Sequence, residues 1–388
     1  MIKDKYWWWL STLFSAGLIV VLIQLWDHMN SYEIQNPQLV NAAAVDAFLN
    51  KNWPPGEDTV GDKKLLPAVR IKTGIFIQSL DFNNSSDVNI TGYIWQHFDK
   101  DLHTNLIPAK DEINFILPEE VNSGFEAKET YRVEENNSVL VGWYFEATLR
   151  QPFEYKTYPF DHKTVWVRMW PKQFSENIIL VPDFDAYKAT GTTDIFGIEE
   201  SIVLGTWVRE DTYFDYQLAS YDTNFGIQDY IGQKGFPELR YNIVVKRKFE
   251  NAFIVYLLPL FLVASLLFAA LLTVSCQPEI TDRLGFNASG FIGASSALFF
   301  VVMLAHIQLR EQFSGSSIVY IEYFYILMYL FLVITTANTY LFSIRRGWFK
   351  TIIQYNDNAI PKLLYWPVLI SSLIAVTLYV IYSTEQGI

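Results

Sequence analysis

Five runs of apolar residues, 6–26, 252–274, 286–306, 320–344 and 363–382, set the outer limits on what this chain can be. Each is long enough to cross a bilayer as a helix, which takes about 20 residues. Backbone polar groups in lipid must be satisfied inside the segment, so a helix is the form open to each run. Between the first run and the second lies one polar block, residues 27–250, large enough for one sizeable domain or two small ones.

Charge narrows the partners. Residues 31–250 hold 33 Asp plus Glu against 21 Lys plus Arg, which accounts for the whole formal net charge of −12. An acidic domain argues against nucleic acid and for concentrating cations. The sole cysteine, Cys276, borders a membrane run and can form no intrachain disulfide, so the polar block folds without one. There is no His/Cys metal spacing, no phosphate-cradling glycine loop and no nucleophile–base motif. Neither enzyme chemistry, nor a cofactor, nor a metal site is expected.

Within the block, β-branched and aromatic runs at 69–80, 88–98, 138–149, 164–170, 178–181, 200–208 and 239–246 read as strands. Turn clusters such as Asn83-Asn84-Ser85-Ser86 and Gly191-Thr192-Thr193-Asp194 separate them, and short strands spaced this way predict a sandwich or barrel. A short helix is expected within 36–50, before the Pro54-Pro55-Gly56 break. Lys246-Arg247-Lys248 then joins the block to the second apolar run with no flexible linker.

Lys3 and Lys5 precede the first run, and tryptophans stand at both its ends, Trp7-Trp8-Trp9 and Trp26. That suits an uncleaved anchor starting in the cytoplasm. The alternative is a cleaved signal peptide, although no Ala-x-Ala-like site follows closely. With the amino terminus inside, the polar block lies outside, and Arg345, Arg346, Lys350 and Lys362 fall inside again, as the positive-inside rule prefers. Residues 277–282 are then cytoplasmic and the carboxyl terminus is outside.

The third run is expected as one helix from Asp282 to His306. Gly285, Ser289, Ile292, Ser296, Phe299 and Met303 recur in it at spacings of four and three, which puts them on one face. Polar groups inside a membrane normally face a bundle interior or a water-filled cavity, so the stripe suits a pore lining. Small residues that let helices pack closely would give a similar stripe.

Phe153-Glu154-Tyr155-Lys156-Thr157-Tyr158-Pro159-Phe160-Asp161, followed by His162-Lys163-Thr164, resembles the signature loop of the pentameric ligand-gated ion channels, the Cys-loop receptor superfamily. Further pieces follow in the family's order. Thr73-Gly74-Ile75-Phe76-Ile77 is similar to the first strand, Arg247 to the pre-membrane arginine, Leu258-Pro259 to the first channel helix, and Asp282-Arg283-Leu284 to the cytoplasmic start of the second. The two cysteines flanking the loop in animal members are missing, with Gln151 and Val165 near their places. The last two helices are joined by a short connection, 345–361, as in prokaryotic members.

The resemblance implies an extracellular all-β immunoglobulin-like sandwich and an α-helical transmembrane bundle of four channel helices, plus one additional N-terminal transmembrane helix. The domain bounds expected are 1–26 for the anchor or signal peptide, 27–66 for an extension, 67–248 for the ligand-binding domain and 249–388 for the pore domain. It implies a homopentamer in a bacterial inner membrane, in contact with lipid, opened by a small-molecule or proton agonist and conducting cations. A non-conducting sensor of the same fold, signalling through a partner protein, is the alternative.

Residue by residue, Asp282 would form an acidic ring for selectivity with Glu279 below it, and acid rings favour cations. Gly285, Ser289 and Ser296 would line the pore, while Ile292 and Phe299 would form an apolar gate. Pro159, Phe160, Asp161 and Arg247 would couple the domains, Asp161 pairing with Arg247. A ligand pocket between subunits would take Trp170, Phe174, Tyr213, Tyr221 and Phe225 from one side and Trp95 or Phe98 from the other. Aromatic faces near Asp215 and Asp222 suit a cationic ligand. Glu322 would pair with Arg310, and Asn338 would be a polar group within the membrane.

Overall fold

The computed structural model describes residues 2–31, 37–54, 59–60, 63–64, 68–121, 126–227, 230, 235–285, 287–313, 316–344 and 350–385. It divides into two compact units. One comprises Met1–Tyr32, Glu154–Asp161 and Arg247–Ile388, and the other Glu33–Phe153 and His162–Lys246. In chain order α1 (Ile2–Met29) belongs to the first unit, and α2 (Ala42–Asn52) opens the second.

Eleven strands follow among the described residues. They are β1 (Thr59–Val60), β2 (Lys63–Lys64), β3 (Val69–Phe82), β4 (Asp87–Asp99), β5 (Phe115–Ile116), β6 (Glu126–Glu135), β7 (Ser138–Arg150), β8 (His162–Pro171), β9 (Ile178–Pro182), β10 (Trp207–Ala219) and β11 (Phe236–Arg247). One sheet runs β6-β7-β4-β3-β9, a second β10-β11-β8-β5, and β1 pairs with β2 alone. In β4 burial alternates residue by residue, as a strand with one face on a core must. Its inward Val88, Ile90, Ile94 and Phe98 share a core with Val165, Val167, Leu239, Tyr241 and Ile243 of the other sheet. The region is therefore β-sandwich-like. Gly92 sits opposite the irregularity of β3 between Ile77 and Ser79. A Cβ there would fall 2.1 Å from the Phe76 carbonyl oxygen, so only glycine lets the strands approach.

The helix expected within 36–50 starts and ends later. Asn41 caps it, its side chain accepting from the Ala44 N–H at 2.9 Å, a strongly preferred N-cap arrangement. Leu39, Val45, Leu49 and Trp53 enter the same core as the sheets. Two strand expectations need correction. Residues 200–206 form turns, with Gly205 at φ +59°, and the strand runs over Trp207–Ala219 instead. β6 was not anticipated: it is an edge strand in which Ala127, Glu129 and Arg132 are half-buried and the other described residues exposed, and charged edges discourage pairing with other chains.

The helical unit continues after β11 with α3 (Phe249–Ala252), a π turn (Phe253–Leu257), α4 (Leu258–Thr273), α5 (Pro278–Leu284), α6 (Ala288–Gln312), α7 (Tyr320–Ile344), α8 (Lys350–Ile353) and α9 (Ala359–Glu385). Among the described residues five helical segments are long and apolar enough to cross a membrane: Lys5–Met29, Phe249–Thr273, Ala288–Gln312, Tyr320–Ile344 and Ala359–Thr384. Pro259 follows directly on the π turn, inside the continuous helical segment Phe249–Thr273, where its missing N–H removes one intrahelical bond. α6 packs on α7, and α1 lies along α9.

The single helix expected from Asp282 to His306 is two helices. α5 ends at Gly285, which takes a left-handed φ of +64° and donates its N–H to Thr281 O at 2.8 Å. α6 begins afresh at Asn287, whose side chain accepts from the Gly290 N–H. Glycine supplies the left-handed cap without a Cβ penalty. Asp282 therefore stands in the last turn of α5 and Gly285 outside any helix, while Glu279 occupies the first turn of α5.

Candidate functional site

On α6, Ser289, Ile292, Ser296 and Phe299 are all exposed in the single chain, and Met303 is half-buried. The packed face of α6 is a different one, carrying Phe291, Ser295, Val302 and Leu309. Ser296 satisfies its hydroxyl internally, donating to Ile292 O at 2.9 Å. Phe299 leans toward α7, with its ring 5.5 Å from that of Tyr329. Asp282 and Glu279 are both exposed on α5. Arg345 and Arg346 lie outside the described residues.

Beyond the stripe, Glu322 is buried at the head of α7. It accepts from the Val319 N–H at 2.8 Å and lies 3.4 Å from Arg310 Nη1, the pairing expected from the sequence. His306 Nε2 lies 3.6 Å from the same carboxylate, and its ring stacks 5.2 Å from Tyr325. Asn338 is buried, and neither of its side-chain polar atoms has a hydrogen-bond partner among the described residues.

Residues 154–161 leave one strand and return to another, yet they group with the helices. The Asp161 carboxylate, 1% exposed, accepts from Arg247 Nε at 2.6 Å and from Nη2 at 2.9 Å. The guanidinium also lies 4.7 Å from the centre of the Tyr158 ring, close enough for a cation–π contact. Burial, helped by the Asp161 charge and opposed by Arg247, pushes the Tyr155 hydroxyl up to about 12. The Tyr158–Pro159 peptide is cis. Tyr158 and Tyr155 pack on Phe313 at the end of α6, at 4.5 and 5.2 Å between ring centres. The Tyr320 N–H donates to Lys156 O at 2.9 Å, and Lys156 Nζ donates to Ser383 O at 3.1 Å. The loop thus touches α6, α7 and α9 within one unit.

In the β unit, Trp170, Phe174, Tyr221 and Phe225 come together, with Tyr230 as a fifth ring that the sequence reading missed. Neighbouring ring centres are 5.3–6.4 Å apart. Glu238, also missed, lies beneath them. It accepts from the Tyr221 hydroxyl and from Arg168 Nη1, both at 2.9 Å. Arg168 Nε is 2.8 Å from Glu119 Oε1, so one guanidinium faces two carboxylates and the cluster is negative. Burial pushes the Glu238 carboxyl up, with the Arg168 charge pulling the other way. The available signal was strand period: Arg168 and Trp170 share the outward face of β8, and Glu238 lies opposite that end on β11.

The other expected ligand residues lie elsewhere. Tyr213 is level with Asn242, which donates to its carbonyl, four residues along β11 from Glu238 and so about 13 Å away. Asp215 is buried and gripped by Arg240 and Asn242, hence already neutralised; Asp222 is exposed. Phe98 is 1% exposed and part of the core, and it also borders an open cavity shared with His97, His103 and Asp183. Trp95 is half-buried, donating to Asp183 at 2.9 Å. Burial would raise the Asp183 carboxyl, but hydrogen bonds from His97 and Trp95 outweigh it and hold it below the ordinary value.

No protein-family model and no curated protein matches the chain. What fold and geometry define is a class: a membrane protein with five apolar helices and a β-sandwich-like unit.

Proposed function

We propose that the chain is a ligand-gated cation channel of the prokaryotic Cys-loop receptor type, its sandwich immunoglobulin-like and its assembly a homopentamer. The observation that carries this is the loop Glu154–Asp161. It is strung between β7 and β8 but packs among helices, clamped to Arg247 at the point where β11 runs into α3. A change in the sheets therefore has covalent routes into the helices through this loop and through β11, and the two are tied to each other by one ion pair.

In this account the open stripe of α6 faces a water-filled pore about a fivefold axis, with Ile292 and Phe299 as its apolar gate; apolar constrictions stop ions by dewetting. Asp282 and Glu279, on α5, form acidic rings at the cytoplasmic mouth. The negative aromatic cluster of Trp170, Phe174, Tyr221, Phe225, Tyr230 and Glu238 binds an organic cation, because ring faces and a carboxylate both attract positive charge. The setting is a bacterial inner membrane, with the β unit and the carboxyl terminus outside. Single-channel recording from purified protein in lipid bilayers, under a screen of amines, acid and divalent cations, tests this. Unitary cation currents are expected; silence throughout would favour a non-conducting sensor.

A further inference from the structure

The helix outside the family resemblance, α1, has a specific place in the helical unit. Trp26, near its end, lies against three rings: Phe160 of the loop at 5.7 Å, Phe249 of α3 at 5.8 Å and Phe324 of α7 at 6.4 Å. Its indole N–H donates to the Tyr320 hydroxyl at 2.8 Å. Tyr320 Oη is in turn 2.6 Å from Thr377 Oγ1 on α9, and Thr377 donates to Leu373 O at 2.7 Å. Proton counting gives this network a direction. Thr377 has one proton and uses it on Leu373, so Tyr320 donates to Thr377 and accepts from Trp26. Each group has one arrangement available, and the chain of donors joins α1, α7 and α9.

Tyr320 is the hub, 1% exposed. Its backbone N–H holds Lys156 O, its ring faces Phe160 at 6.2 Å, and its hydroxyl takes the Trp26 proton. A tryptophan that merely marked a membrane interface would direct its N–H to headgroups or water; this one directs it into the protein. Nine residues in from the start of α1 a second clasp holds it, Ser11 Oγ donating to Leu363 O of α9 at 2.5 Å. The two clasps are fifteen residues apart, about 22 Å along a helix. Between them α1 leaves most of its surface unpacked.

We propose that Trp26 is a positioning residue for gating: through Tyr320 it sets the head of α7 against the loop 154–161, so that α1 biases the equilibrium between closed and open states. The gating part rests on the channel reading above, but the positioning part does not.

The test compares the full chain in lipid nanodiscs with Trp26→Phe, which keeps a ring but loses the N–H, and with Tyr320→Phe, which loses the acceptor. Hydrogen exchange is read at the Tyr320 amide and over 154–161. Each variant is expected to exchange at least about fivefold faster there, the worth of one lost hydrogen bond, with β4 unchanged as an internal control. If Trp26 only filled space, Trp26→Phe would exchange like the parent, and that result overturns the proposal. An intact mass lacking residues 1–26 overturns it too. Acid- or amine-evoked currents give the second readout, half-activation shifting by a similar factor in both variants; an unshifted value overturns the gating part. A silent parent protein would sink the channel reading while leaving the exchange result decisive for Trp26.

Discussion

Asp161 and Arg247 meet in a two-point contact, 2.6 and 2.9 Å, with Asp161 buried and the Arg247 side chain 9% exposed. It closes residues 154–161 against the end of β11, eighty-six residues further along the chain. Removing one partner breaks a buried pair, which costs about 3–5 kcal/mol, whereas replacing both by apolar residues of similar volume is far milder. Asp161→Ala and Arg247→Met should each lower the melting temperature more than an apolar replacement of the pair does. Additive losses in thermal unfolding would show that the two are not coupled.

Glu238 gives a pH dependence with a definite sign. Its carboxyl is raised, chiefly by burial, so its folded-state pKa lies above the unfolded one. Such a group contributes stability that is fully present below the ordinary glutamate value, about 4.3, and is lost as pH rises through the raised folded value. Glu238→Gln should flatten that part of the profile, read by urea unfolding of the full chain at a series of pH values. A slope identical to that of the parent would remove Glu238 as its source.

The same carboxylate sets a binding prediction of the opposite sense. An organic cation, with tetramethylammonium as the probe, should bind less tightly as acid neutralises Glu238. Glu238→Gln should weaken it at neutral pH about fivefold, in line with about 1 kcal/mol for such contacts. Quenching of tryptophan fluorescence measures this, and pH-independent affinity in the parent would contradict it.

Gly285 ends α5 at φ +64°, in open space where a Cβ meets nothing. Backbone strain is then the only penalty for a side chain. Gly285→Ala should cost about 1–2 kcal/mol, and Gly285→Asn less, because asparagine tolerates the left-handed region. Equal melting temperatures for the two variants would contradict a left-handed cap.

How much of this the sequence revealed depended on how strongly each segment was patterned. β4 was legible because Val88, Ile90, Tyr93, Ile94, Trp95 and Phe98 make a β-branched and aromatic run behind the turn cluster 83–86. The alternating burial of that strand puts Phe98 on its core side. β6 was illegible because an edge strand such as Glu126–Glu135 buries too little for any period to show. Ile202-Val203-Leu204 mimicked a strand, but the turn at Gly205 ends it. At the α5–α6 break the punctuation was present, glycine at a C-cap and asparagine at an N-cap. Spacing alone absorbed Gly285 into the stripe. Asp161 with Arg247 follows from the family resemblance, whereas Trp26 reads as an interface marker because its partners Phe160 and Tyr320 are distant in sequence.

Asp282 carries the selectivity proposal, although it stands on α5 rather than on α6. Asp282→Ala should shift the reversal potential toward that of chloride, and Glu279→Ala should do so less. A reversal potential unmoved by Asp282→Ala would take that residue out of the filter.

The central claim is that this chain conducts cations through a pore lined by α6. The most direct measurement is the reversal potential of unitary currents from the purified protein in bilayers across a potassium chloride gradient. The account predicts discrete openings reversing near the potassium equilibrium potential. No openings under amines, acid or divalent cations, or reversal near the chloride potential, would contradict it.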